Sequence, residues 1–158
     1  MGLQRIVRSC TVPAPIDTVW AVLRDFNRHA RWHRAVAHSL IEEGLAPDQV
    51  GCVRRFALAD GHRVREQLLG LSDHGWRSTY TIVEASLPLW RYVATVRLKP
   101  ITDVRHTFWH WSCTFEAPPG LAQALAERVA SGVYEAGFAD LTRHVLGDGG
   151  QSPGQSAA

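Results

Sequence analysis

The sequence predicts an α+β domain in which a curved antiparallel sheet of about seven strands wraps a long C-terminal helix. Three observations carry this. A strand-like segment ending in prolines leads into two short helical segments, all before residue 34. From about Val36 to Glu116 the chain alternates strand-like runs with Gly, Pro and Asp turns, and one amphipathic run, Leu121 to Leu146, closes the pattern. An apolar sheet face cannot stay in water, so the terminal helix must cover it, and this layout builds a cavity between the two.

Each element has a local reason. Gln4 to Val12 is β-branched and stops at Pro13 and Pro15, which cannot donate to a sheet. A helix begins at Ile16 or Asp17, where Asp17 supplies an acceptor and a negative charge to the first turn, and Ile16, Val19, Trp20 and Leu23 share one face. Asn27 is the expected cap of a second short helix ending near Trp32. Six strands follow: Val36 to Glu43, Cys52 to Ala59, Arg63 to Leu71, Arg77 to Ala85, Tyr92 to Lys99 and His106 to Glu116. The turns between them (Pro47-Asp48, Asp60-Gly61, Asp73-His74-Gly75, Leu87-Pro88, Pro100 to Asp103) are hairpin signals, so the sheet is antiparallel. After Pro118-Pro119-Gly120, apolar residues at 125, 129, 133, 136, 141 and 145 recur near a period of 3.6.

With 158 residues and 46% hydrophobic content the chain makes one domain, residues 1–146, with a Gly/Ser-rich tail at 147–158 that is expected to be disordered. Its 17 basic and 15 acidic residues give a net charge of +2 and are scattered, with no Lys/Arg block, which argues against nucleic acid as a partner. Cys10, Cys52 and Cys113 are odd in number, far apart and strand-embedded, which suits reduced buried thiols. No apolar run reaches membrane-spanning length and the first ten residues lack a signal-peptide core, so a cytoplasmic location is expected. Self-association into a homodimer stays open.

The order of elements, and the residues within it, resemble the helix-grip superfamily of START-like, Bet v 1-like domains, and more narrowly the polyketide cyclase/dehydrase and lipid-transport group. The matching residues are Val12 to Pro15 with Val19-Trp20, Phe26 with Trp32-His33, Gly51 with Arg54, Asp60-Gly61, Glu66, Tyr80, Leu87-Pro88, Tyr92 to Thr95, Trp111 with Phe115, and Tyr134 to Gly137. The resemblance spans residues 4 to 146 and implies an apolar cavity between sheet and helix, entered near the short helices. It implies either cyclisation or dehydration of poly-β-ketone substrates or the carrying of an apolar ligand, because one fold hosts many functions.

Strand alternation places Phe56 and Leu58 with Val64 and Leu68 on the inner face, and Arg54 and Glu66 with them. This requires an odd-length or bulged loop around Asp60 to His62; a two-residue turn would set Arg55 opposite Glu66 instead. Family resemblance favours Arg54. Tyr80 and Ile82 share a face with Glu84, while Tyr92, Trp109, Trp111 and, from the helix, Tyr134 are expected to supply aromatic wall, either for ligand or as plain core. Arg54, Glu66 and Tyr80 form the expected polar set, with two readings: a buried ion pair fixing register, or an acid/base with a cation and a phenol donor around a carbonyl. His33, at the end of the second short helix, is a further acid/base or gate candidate. This chemistry needs no metal and no cofactor. His29/His33 and His106/His110 are each four apart, but no Cys or acidic group completes a metal set, and on a strand that spacing exceeds about 13 Å.

Overall fold

The computed structural model describes residues 2–149, so part of the tail expected to be disordered, residues 150–158, lies outside the described residues. Among the described residues there are seven strands: β1 (Leu3–Val12), β2 (Val36–Ile41), β3 (Val53–Leu58), β4 (Arg63–Ser72), β5 (Arg77–Ala85), β6 (Trp90–Ile101) and β7 (His106–Glu116). They form one antiparallel sheet in the order β1-β7-β6-β5-β4-β3-β2. Consecutive strands from β2 to β7 are hairpin neighbours, as the turn residues predicted. β1 and β2 are the opposite edges, so the helices between them, α1 (Ile16–Leu23) and α2 (His29–Trp32), carry the chain across the open side of the sheet.

Neither short helix is capped as the sequence suggested. Pro15 precedes α1 without a side-chain cap, Asp17 sits in the first turn, and Arg28 rather than Asn27 occupies the cap position of α2. Asn27 is used differently: its N–H donates to Asp25 and its Oδ1 accepts from the Ser39 hydroxyl, tying the α1–α2 link to β2.

Curvature comes from bulges. Between β4 and β5 the pairing passes from Arg65↔Glu84 to Glu66↔Ile82 and from Leu68↔Tyr80 to Gly70↔Thr79, leaving Val83 and Leu69 as extra residues. Both extra residues are exposed, at 46% and 45%, on the outer side of the bend. The β3–β4 loop closes with the Leu58 N–H on the His62 carbonyl and Gly61 at φ +93°, so Arg54 pairs with Glu66, the bulged-loop register.

The terminal helix is continuous but not uniform. α3 (Ala122–Glu127) leads into a π-helical segment, Arg128–Glu135, and then α4 (Ala136–Gly149). A π turn takes more residues than 3.6, so the buried face steps from Val129 to Tyr134 and on to Phe138, Leu141 and Val145. The expected positions Val133 and Ala136 are only half-buried. At Gly137 an added Cβ would lie 2.9 Å from Trp111 and 3.1 Å from the His33 ring, so the helix rests on those two rings because this position has no side chain. Cys52 and Cys113 are buried free thiols, whereas Cys10 is half-buried. No helix among the described residues is long and apolar enough to cross a membrane.

Candidate functional site

Between the concave sheet, α1–α2 and the π-helical segment lies a cavity of about 110 Å³. Its walls are mainly apolar, with Phe26, Phe56, Tyr80, Tyr92 and Trp111 among them. Ala35, Leu58, Leu87 and Arg128 also line it, and Arg128 is ion-paired to Asp60 of the β3–β4 turn. Buried polar side chains along this space include Arg54 on β3, Glu66 on β4, Ser78 and Tyr80 on β5, and His29 and His33 at α2.

Arg54 is 8% exposed. Its Nε–H donates to Glu66 Oε1 at 2.9 Å, Nη2 forms an ion pair with the same oxygen at 2.7 Å, and Nη1–H donates to the Phe26 carbonyl at 2.8 Å. Its guanidinium carbon lies 3.9 Å from the Phe26 ring centre and 5.0 Å from that of Tyr80. These contacts supply cation–π attraction where water is scarce. Glu66 is less well satisfied. Both arginine contacts fall on the single oxygen Oε1, and among the described residues nothing donates to Oε2. Burial pushes the Glu66 carboxyl above its ordinary value, and the attraction of Arg54 offsets only part of that rise.

The Tyr80 hydroxyl accepts the indole N–H of Trp111 at 3.0 Å, which leaves its own proton to be donated. Burial, with Glu66 nearby, raises the phenol well above its usual range and keeps that proton in place. The Tyr92 and Tyr134 hydroxyls bond each other at 2.7 Å. Behind them Trp111 stacks on Tyr134 with ring centres 4.1 Å apart, and Trp109 stacks on Trp111 at 5.3 Å. The aromatic wall is thus braced from the helix side.

Residues 4–146 match the family described as polyketide cyclase/dehydrase and lipid transport. The chain belongs to that family. No curated protein matches it. Among solved structures it is similar to the protein XoxI from Bacillus cereus, with 27% identity, a TM-score of 0.77, and coverage of 90% of this chain and 95% of that one. A solution structure of a Thermobifida fusca protein has 27% identity and a TM-score of 0.78, covering 89% and 92%. Norcoclaurine synthase from Thalictrum flavum, solved with dopamine and hydroxybenzaldehyde, shares the fold at a TM-score of 0.73 and 16% identity, covering 92% and 87%.

Within this family member the structure brings Arg54, Glu66, Tyr80, His33, Phe56, Tyr92 and Trp111 around one cavity. Three expected wall residues stand elsewhere. Trp109 and Tyr134 are completely buried behind the wall, not on its surface. Glu84 does not share the face of Tyr80 and Ile82: the extra residue Val83 reverses the alternation, and Glu84 pairs with Arg65 on the outer surface with its side chain 70% exposed. His33 borders the cavity with both ring nitrogens engaged. Its Nε2–H donates to the Val133 carbonyl at 2.7 Å and its Nδ1 accepts from the Ala35 N–H at 3.0 Å, so it latches α2 to the π-helical segment.

Sequence reasoning passed over two groups. His29 enters the sequence reading only as half of a metal pair, and it opens α2 while His33 follows the helix in extended conformation. Asp140 had no signal. It is 3% exposed and accepts from the Arg34 N–H at 2.8 Å, from the Arg34 guanidinium at 2.7 and 3.0 Å, and from Arg143 at 3.1 Å.

Proposed function

We propose that this cavity binds a small apolar carbonyl compound and that Glu66 exchanges a proton with it, as in a cofactor-independent cyclase or dehydratase. The observation that carries this reading is the Oε2 of Glu66, which has no donor among the described residues: a buried carboxylate held at one oxygen, lining the cavity, with its proton affinity raised by burial. Glu66 takes the proton from the carbon beside the carbonyl, and the C–H electron pair moves into the carbon–carbon bond and onto oxygen. Tyr80 O–H donates to that developing oxyanion, and the Arg54 charge lies close enough to lower its energy. The enolate carbon then bonds to a second carbonyl carbon, whose oxygen receives the C=O pair and takes the proton back from Glu66, or the enolate expels a β-hydroxyl that takes that proton and leaves as water.

The test uses phenylacetone in D2O, with loss of its α-proton signals followed by NMR. The wild-type protein is expected to accelerate exchange. Glu66→Gln is expected to lower that rate by roughly two to four powers of ten. It should also lower Tm moderately, since Arg54 loses its charged partner. Unchanged exchange in Glu66→Gln removes Glu66 from the chemistry. Binding of phenylacetone without any acceleration by the wild type would favour the other reading of this family, a carrier or sensor of an apolar ligand.

A further inference from the structure

The outer face of the sheet opposes arginines in two places and treats them differently. On β3 and β4 Arg55 pairs with Arg65, and there Glu42 and Glu84 both bond to Arg65. On β5 and β6 Arg77 pairs with Arg97, which sets two like charges on side chains whose Cβ atoms are roughly 5 Å apart, a destabilising arrangement unless a counter-charge is present. Lys99 lies on the same face two residues beyond Arg97, with the buried Leu98 between them. Arg77, Arg97 and Lys99 are all exposed, and none of them forms an ion pair or side-chain hydrogen bond among the described residues.

The three cations line one groove together with His74, Gly75 and Trp76 of the β4–β5 turn. The acidic residue of that turn does not serve them: Asp73 accepts from the Trp20 indole N–H at 2.8 Å and from the Arg24 guanidinium at 2.9 and 3.1 Å. Trp76 holds a left-handed backbone, φ +48°, which a bulky L residue adopts only against strain. Its carbonyl accepts the Leu98 N–H at 2.9 Å, which fastens the turn to β6 between Arg97 and Lys99. The hairpin end is thus held beside the cations, and what the groove lacks is negative charge.

Chemistry narrows the anion. Guanidinium groups present planar forks that match the oxygens of a phosphate, and an ammonium adds a point charge. A phosphate monoester carries about −1.5 to −2 charges at neutral pH and three acceptor oxygens, enough to answer the opposed pair, whereas a carboxylate brings a single charge.

We propose that this groove is a second binding site, for the phosphate group of a small soluble phosphate monoester, with Arg77, Arg97 and Lys99 as its contacts. It lies on the outer face, with the sheet between it and the cavity, and does not rest on the reading of the cavity.

The test titrates inorganic phosphate, phenyl phosphate and acetate into the wild-type protein at neutral pH and constant ionic strength, with affinity read by calorimetry and the Trp76 indole resonance by NMR. Both phosphates are expected to shift Trp76 and to bind about tenfold more tightly than acetate. Arg97→Gln should lower phosphate affinity about tenfold, the worth of one charge-assisted hydrogen bond. Arg55→Gln removes an exposed charge elsewhere on the same face and should leave phosphate affinity unchanged. An equal loss in Arg55→Gln and Arg97→Gln overturns the proposal, because the attraction would then belong to the surface charge as a whole. Acetate binding as tightly as phosphate, or phosphate binding with Trp76 stationary, overturns it as well. So does sedimentation of the protein with vesicles of phosphatidic acid in phosphatidylcholine when neither free phosphate binds, which would assign the cations to a membrane surface. Absence of saturable phosphate binding overturns the proposal and leaves the proton-transfer reading of the cavity standing.

Discussion

Two buried carboxylates, Asp140 on the terminal helix and Glu66 on β4, are almost equally hidden, at 3% and 5% exposure, and are treated in opposite ways. Asp140 is saturated: one backbone N–H and two arginines use both its oxygens, and its carboxyl is drawn down to about 2. Glu66 receives one arginine on one oxygen, and burial drives its carboxyl up. A carboxylate with every lone pair answered is a fastener, here between the α2–β2 link and α4. One left half-answered against a cavity retains the capacity to accept a proton. Burial alone does not separate the two; the count of donors around each oxygen does.

The comparison breaks most visibly at Arg54. Arg54→Met is expected to destabilise the fold by about 3 to 5 kcal/mol near neutral pH, because it strands a buried carboxylate with no other donor among the described residues. The cost should shrink at low pH, where Glu66 is protonated. Arg54→Met combined with Glu66→Met should recover most of the stability, as paired apolar replacements of buried ion pairs do. Urea unfolding of the single and double variants measures both. A single-variant cost under about 1 kcal/mol would mean that water reaches Glu66 freely and that the two carboxylates differ less than their contacts suggest.

A smaller effect is expected at Asp140, and it has the opposite pH sign. Its folded pKa lies below the unfolded value, so the stability it contributes is present above the ordinary Asp pKa and is lost as pH falls toward about 2. Glu66 has a raised folded pKa, so its protonated form is the better tolerated, and stability is lost as pH rises through that value. Arg34 and Arg143 are mostly in water, with side chains 59% and 71% exposed, which screens the attraction. Asp140→Asn is therefore expected to cost about 1 to 2 kcal/mol at pH 6 and to flatten the stability profile between about pH 4 and 2. An unchanged acid profile would show that Asp140 is not the group titrating there.

What the sequence made legible follows the same physics. Hairpin order follows from turn chemistry, which acts over a few residues, whereas alternation and the turn leave either Arg54 or Arg55 opposite Glu66 and the family resemblance favours Arg54. Helical spacing located the terminal helix but assigned Val133 and Ala136 to the core, because the π-helical segment changes the period without a composition signal. Alternation failed at Glu84 for a related reason, since one bulge residue, Val83, reverses every side chain beyond it. The lack of a partner for the His29 ring nitrogens among the described residues and the saturation of Asp140 depend on residues about a hundred positions away or on an absence of partners. Neither leaves a local pattern to read.

Glu84 provides the sharpest control on the comparison because it is a carboxylate paired to an arginine, like the other two, but in water. Its 3.0 Å contact with Arg65 joins side chains 70% and 36% exposed, and Arg65 has a second partner in Glu42 at 2.7 Å. Exposed pairs contribute little, and Arg65 keeps Glu42 if Glu84 is neutralised. Glu84→Gln is therefore expected to change unfolding free energy by less than about 0.5 kcal/mol and to leave phenylacetone affinity unaltered. The measurement is the same urea titration and probe binding applied to Arg54→Met and Asp140→Asn. A loss of probe affinity in Glu84→Gln would return this residue to the cavity wall and would mean that the β5 bulge at Val83 is absent in solution.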